Sequence, residues 1–173
     1  LGQLSMSTSQ SPSSLVQDVL LGGGVTVSNI TFNGQPANSS NPQAASFNSS
    51  NANVGLSSGI LLATGDATVA MGPNNNSGAY LGGVTGYSDA DLAVLAGVNV
   101  FDAAVLEFDF VPAGGSISFD FVFASEEYIE YVGAGFNDVF GFFLSGPGIS
   151  GPYSNNSVNI ALVPGTSTPV AID

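Results

Sequence analysis

The chain contains no lysine, arginine or histidine, and no cysteine or tryptophan. Nucleic-acid binding requires cations that neutralise phosphates and release counter-ions, so that class is excluded. Docking on anionic lipid through a basic patch is excluded for the same reason. Without histidine there is no Ser-His-Asp triad and no imidazole base. Without lysine or arginine there is no phosphate or oxyanion clamp from a cationic side chain. Neither disulfides nor thiolate metal sites can form. No apolar run reaches the roughly 18 residues of a membrane-spanning helix, so membrane insertion is not expected.

What is present is polar without being charged. The 173 residues suffice for one domain with a real core, and a hydrophobic fraction of 44% is too high for a solvated disordered chain. Charged residues make up 8%, against roughly 25% in an average soluble domain. The surface must therefore be Ser, Thr, Asn, Gln and Gly. All thirteen charged side chains are acidic, giving a net charge of −13. Each carboxylate has to meet water, a backbone N–H, a neutral side-chain donor or a metal cation. Counter-ions must gather near them, and calcium is the natural extracellular candidate. A chain that begins at Leu1 reads as a mature protein after removal of a leader.

Along the chain, residues 1–14 read as an extended N-terminal arm and 15–173 as one β-sandwich domain. Ser11-Pro12 is a helix start, with Leu15, Val16, Val19 and Leu20 at helical spacing and Gly22-Gly23-Gly24 as the stop. Val25 to Phe32 alternates with β-branched residues and reads as a strand. Residues 33–53, rich in Asn, Ser and Gln, read as a surface loop or a poor edge strand. Gly59 to Thr64 is a buried strand, and Ser88 is expected to cap a short helix carrying Asp89, Asp91, Leu92 and Leu95. Ala103–Val111 and Ser116–Ala124, joined by Pro112-Ala113-Gly114-Gly115, read as a hairpin with an aromatic face. Val139–Ser145 and Val158–Val163 complete the set. The expected fold class is mainly β, an antiparallel β-sandwich or jelly-roll-like domain with one or two short helices.

The densest acid cluster is Glu126, Glu127 and Glu130 with Asn137 and Asp138 behind them, and Asp102 and Asp120 are expected to approach from neighbouring strands. Hard oxygens of this kind suit calcium, which takes about six to eight of them. The competing reading makes these residues exposed turn acids or caps for backbone N–H groups. No EF-hand spacing is present. A glycosidase pair is disfavoured, because adjacent Glu126 and Glu127 on a strand point to opposite faces, and no catalytic residues are assigned. The phenylalanines at alternating strand positions read as core. Tyr80, Tyr87, Tyr128, Tyr131 and Tyr153 lie in or beside loops, where an exposed ring can stack on a sugar.

Several ordered blocks carry a family resemblance: Leu15 to Val25, Ser58 to Gly65, Asp102 to Phe110, then Phe119-Asp120-Phe121-Val122-Phe123-Ala124-Ser125-Glu126-Glu127-Tyr128, Phe136 to Gly148, and Asn159 to Thr166. Together they resemble the choice-of-anchor L domain of bacterial surface proteins. The resemblance implies an exported protein at the cell surface or outside the cell. It also implies further strands after Asp173, cut off, unseen or supplied by another subunit through strand addition. Two functions are expected to compete. One is a structural or adhesive unit that self-associates through β-strand edges, in a filament or surface layer. The other is a calcium-assisted carbohydrate-binding module.

Overall fold

The computed structural model describes residues 3–72, 86–125, 129, 131–135 and 137–172. The fold is mainly antiparallel β, with ten strands and two short helices among these residues. Its internal contacts divide the chain into two compact units, Leu1–Tyr87 with Asp102–Val122, and Ser88–Phe101 with Phe123–Asp173.

In the first unit, β1 (Ser5–Ser7) pairs with β4 (Ala44–Asn48), which pairs with β5 (Ser58–Leu62). The helical segment starts as the sequence predicts. Ser11 is the N-cap and accepts the Ser14 N–H at 3.2 Å, and Pro12 opens helix α1 (Pro12–Ser14). A π-type turn over Leu15–Leu20 continues it and buries Leu15 and Val16 completely. Strand β2 (Val25–Phe32) has the predicted bounds and turns through Asn33-Gly34 into β3 (Gln35–Pro36), pairing Phe32 with Gln35. Both turn residues have positive φ, +48° and +69°, as the two-residue turn that matches strand twist requires. The core of this unit gathers Leu15, Phe32, Ala37 and Ala44, with Ile30, Ile60, Leu62 and Leu106 packed against it.

The partner of β6 (Leu106–Pro112) differs from the expectation. It pairs with β2, Val25 opposite Pro112 and Phe32 opposite Leu106, and residues 116–125 form no strand. Electrostatics gives the reason. A hairpin closed through 112–115 would set Glu107 directly opposite Asp120, and like charges facing each other across strands destabilise the pair. Against β2 the same strand meets neutral donors. Asn29 sits in a bulge at φ +53° and donates Nδ2 to Asp109 Oδ2 at 2.6 Å, while Thr31 faces Glu107. The expected aromatic core face is correspondingly loosened: Phe119 and Phe123 are half-buried and Phe121 is 40% exposed.

In the second unit, helix α2 (Ala90–Ala96) is capped by Asp89 rather than by Ser88, its Oδ1 accepting the Leu92 N–H at 2.9 Å. Gly97 ends it in the left-handed conformation. The expected strand 139–145 is interrupted, giving β7 (Asp138–Phe140) and β8 (Phe143–Leu144). A Cβ at Gly141 would stand 2.5 Å from the Phe143 ring, so any larger residue at the break would have to displace that ring. Strand β7 pairs with β10 (Val170–Ile172), and β8 pairs with β9 (Val158–Asn159). Asn159 Oδ1 accepts the backbone N–H of Phe142, the amide that the interruption leaves over, and that of Ala161 just beyond β9, both at 3.0 Å.

Candidate functional site

The carboxylates show how a chain without cations satisfies its acids. Asp66 accepts the hydroxyl of Thr68 at 2.7 Å and its N–H at 2.9 Å. These bonds, the hydroxyl first, hold its carboxyl below the ordinary 3.8 against an opposing cost of desolvation. Asp91 takes the Ser154 N–H and hydroxyl, both at 3.0 Å, and so ties the 3₁₀ turn Ser154–Asn156 to the start of α2. With the Asp89 cap and the Asn29–Asp109 bond, the pattern is consistent: short polar donors and backbone amides stand where lysine and arginine stand in other proteins.

The residues singled out from the sequence divide between the two units. Asp102, in the first, adopts φ +58° and accepts the Gly86 N–H on Oδ1 at 2.9 Å, which makes it a turn clamp. Asp120, also in the first, is exposed. In the second, Asp138 opens β7 and its Oδ2 accepts the Ser125 hydroxyl at 2.7 Å. Its neighbour Asn137 donates Nδ2 to the Ala96 carbonyl at the end of α2, 3.0 Å away, while its Oδ1 is buried with no hydrogen-bond partner. Glu126, Glu127 and Glu130 lie outside the described residues. Among the described residues no three Asp or Glu side chains converge in a way that could hold a metal.

Of the loop tyrosines, Tyr153 stacks at a tilt on Phe143 with ring centroids 4.7 Å apart, which is packing. Tyr87 is half-buried, its hydroxyl beside Gly34. Tyr80 and Tyr128 lie outside the described residues.

The first unit carries a groove of about 360 Å³ that sequence reasoning did not find. Its walls are the backbone of Gly22-Gly23-Gly24 and the Pro112–Gly114 turn, with Leu21, Ser116, Ser118 and Phe119. No charged side chain lines it. The signal was present as two glycine-rich turns, but nothing local says that they lie side by side.

The buried polar residue that matters most is Gln43, which was not singled out. It is 1% exposed, and its Nε2 donates to the carbonyls of Asp102 (3.1 Å) and Thr64 (3.2 Å), with Ala103 at 3.4 Å. Its Oε1 accepts from Asn33 Nδ2 at 3.0 Å. One amide therefore joins the β2–β3 turn, the end of β5 and the segment that leads into β6.

No curated protein and no solved structure matches the chain. The family model of the choice-of-anchor L domain matches residues 4–173. The chain belongs to the choice-of-anchor L family, whose members are exported bacterial cell-surface proteins and which is not an enzyme family.

Proposed function

We propose that this domain is a non-catalytic structural or adhesive unit of the bacterial exterior that associates with copies of itself through strand edges. The observation that supports this reading best is β6. It is seven residues long and, among the described residues, hydrogen-bonded to a strand on one side only. Val111 near its end is 70% exposed. A long edge of this kind is a template for strand addition. Glu107 and Asp109 lie on the same strand, so two copies meeting there bring like charges together, and salt or a divalent cation must screen them. Calcium fits that role. The buried, partnerless Asn137 Oδ1 beside Asp138 is a second place where a hard cation would find an oxygen ligand.

Sedimentation and electron microscopy of the native protein over a range of concentrations, with calcium or with chelator, test this. Ordered assemblies that a Val111→Glu variant loses, at unchanged melting temperature, are the expected result. Dispersed monomers under every condition would overturn it. A calcium-assisted glycan-binding role is favoured by one observation, the uncharged groove that offers serine hydroxyls, backbone amides and the Phe119 ring. Glycan arrays with and without calcium distinguish the two.

A further inference from the structure

The chain contains a single Asn-Gly sequence, Asn33-Gly34. In an unfolded chain nothing shields the nitrogen that follows such an asparagine, because glycine has no side chain. That nitrogen can attack the Asn33 side-chain carbonyl carbon Cγ. A new N–Cγ bond forms, the Cγ–Nδ2 bond breaks, and ammonia leaves with the Gly34 amide proton. Water then opens the cyclic imide at either carbonyl, leaving aspartate or isoaspartate at position 33.

The fold opposes every part of this. The Asn33 side chain is held at both ends, its Nδ2 donating to Gln43 Oε1 at 3.0 Å and its Oδ1 accepting the Val105 N–H at 2.8 Å. Its own N–H donates to the Val105 carbonyl at 2.8 Å. For Cγ to reach the Gly34 nitrogen, both side-chain bonds must break and the turn must leave its left-handed geometry. The product does not fit back. A carboxylate at position 33 would turn an acceptor toward Gln43 Oε1. Rotating the Gln43 amide only moves the conflict, since its oxygen would then face the carbonyls of Thr64, Asp102 and Ala103. Isoaspartate adds a methylene to the main chain of a two-residue turn as well.

We propose that Asn33-Gly34 is a deamidation site that the fold holds shut, and that deamidation during unfolding is a one-way exit from the native state. Folded chain and chain in urea are incubated at the same mildly alkaline pH and temperature, then cleaved with chymotrypsin, since trypsin has no site. The fragment 33–47 carries Asn38 as well, an exposed asparagine followed by serine that serves as internal reference. Tandem mass spectrometry separates the two positions. In urea, position 33 should convert well ahead of position 38. In the folded protein its conversion should slow by a factor of about ten or more, the ratio set by an opening free energy of at least about 1.4 kcal/mol. Equal rates at position 33 in the two conditions would overturn the closure. After removal of urea, native signal should fall in proportion to the converted fraction; converted chains that regain the original melting temperature would overturn the one-way exit.

Discussion

Replacing Gln43 with leucine, a residue of similar volume, separates hydrogen bonding from packing at the centre of the first unit. The change removes two donor contacts at 3.1 and 3.2 Å and leaves Asn33 Nδ2 facing an apolar side chain. The contact to Ala103 at 3.4 Å is too long to count for much. At about 1–1.5 kcal/mol for each of the three losses, the gross cost is about 3–4 kcal/mol. Burying leucine in place of the amide returns about 1 kcal/mol, for a net loss of about 2–3 kcal/mol. In a chain of this length that lowers the melting temperature by about 5–10 °C. Urea denaturation followed by circular dichroism is the assay, with an unchanged m-value as the sign that the denatured state is unaffected. Asn33→Gly, which keeps the positive φ and deletes the side chain, completes a double-mutant cycle, and a coupling of about 1 kcal/mol is expected. A loss under about 0.5 kcal/mol for Gln43→Leu, or a coupling of zero, would refute the network.

A Cβ at Gly151 would overlap the Ser157 backbone carbonyl and stand 2.6 Å from a Val158 methyl, so Gly151→Ala should cost about 2 kcal/mol or more, measured by thermal denaturation. Asp89→Ala removes the N-cap of α2 and should cost about 1 kcal/mol, whereas Ser88→Ala should be silent in the same assay. Because the Asp66 carboxyl is held below its unfolded value, its stabilising contribution is complete above about pH 4 and disappears as pH falls through its lower folded value. Asp66→Asn should therefore lower stability in the neutral region, with the difference from the parent protein shrinking as pH falls through that lower value.

Local signals were read correctly where local chemistry decides. Ser11 before Pro12 and the β-branched alternation of Val25–Phe32 need no tertiary information, and α1 and β2 begin where they were expected. Alternation says that a segment is a strand but not which strand lies beside it, so nearness in sequence suggested a hairpin for residues 103–124. The facing of Glu107 with Asp120 was already legible and argued against it. The Asn33-Gly34 turn is legible too, but an Asn- and Ser-rich composition over 33–53 reads only as a surface loop or a poor edge strand and does not mark β3 and β4 as two separate strands. Gln43 was out of reach, since a glutamine in a polar run carries no mark of burial. Its value comes from the Thr64 and Asp102 carbonyls and the Asn33 amide, all contributed by distant segments. Among the candidate ligands, Asp102 is engaged by a backbone amide and Asp138 by a serine hydroxyl, a division that residue type alone does not reveal.

The pairing of acids with neutral donors also bears on how copies of the domain could meet. A salt bridge cancels charge, whereas a hydrogen bond from an amide or hydroxyl satisfies a carboxylate and leaves its charge in place. Asp66, Asp89, Asp91, Asp102, Asp109 and Asp138 are all satisfied in this second way. Local order is thus achieved with the net charge of −13 intact. If copies associate as proposed, two such surfaces would repel at long range and attract only within contact distance, through backbone edges and exposed apolar side chains such as Val111. The Debye length, about 8 Å at physiological ionic strength against about 30 Å at 0.01 M, sets which regime holds. Self-association should accordingly strengthen as salt rises, the reverse of an interface built from opposite charges. Raising sodium chloride separates general screening from specific calcium binding: an equal response to both at matched ionic strength assigns the effect to charge alone, and a response confined to calcium assigns it to a coordinated ion.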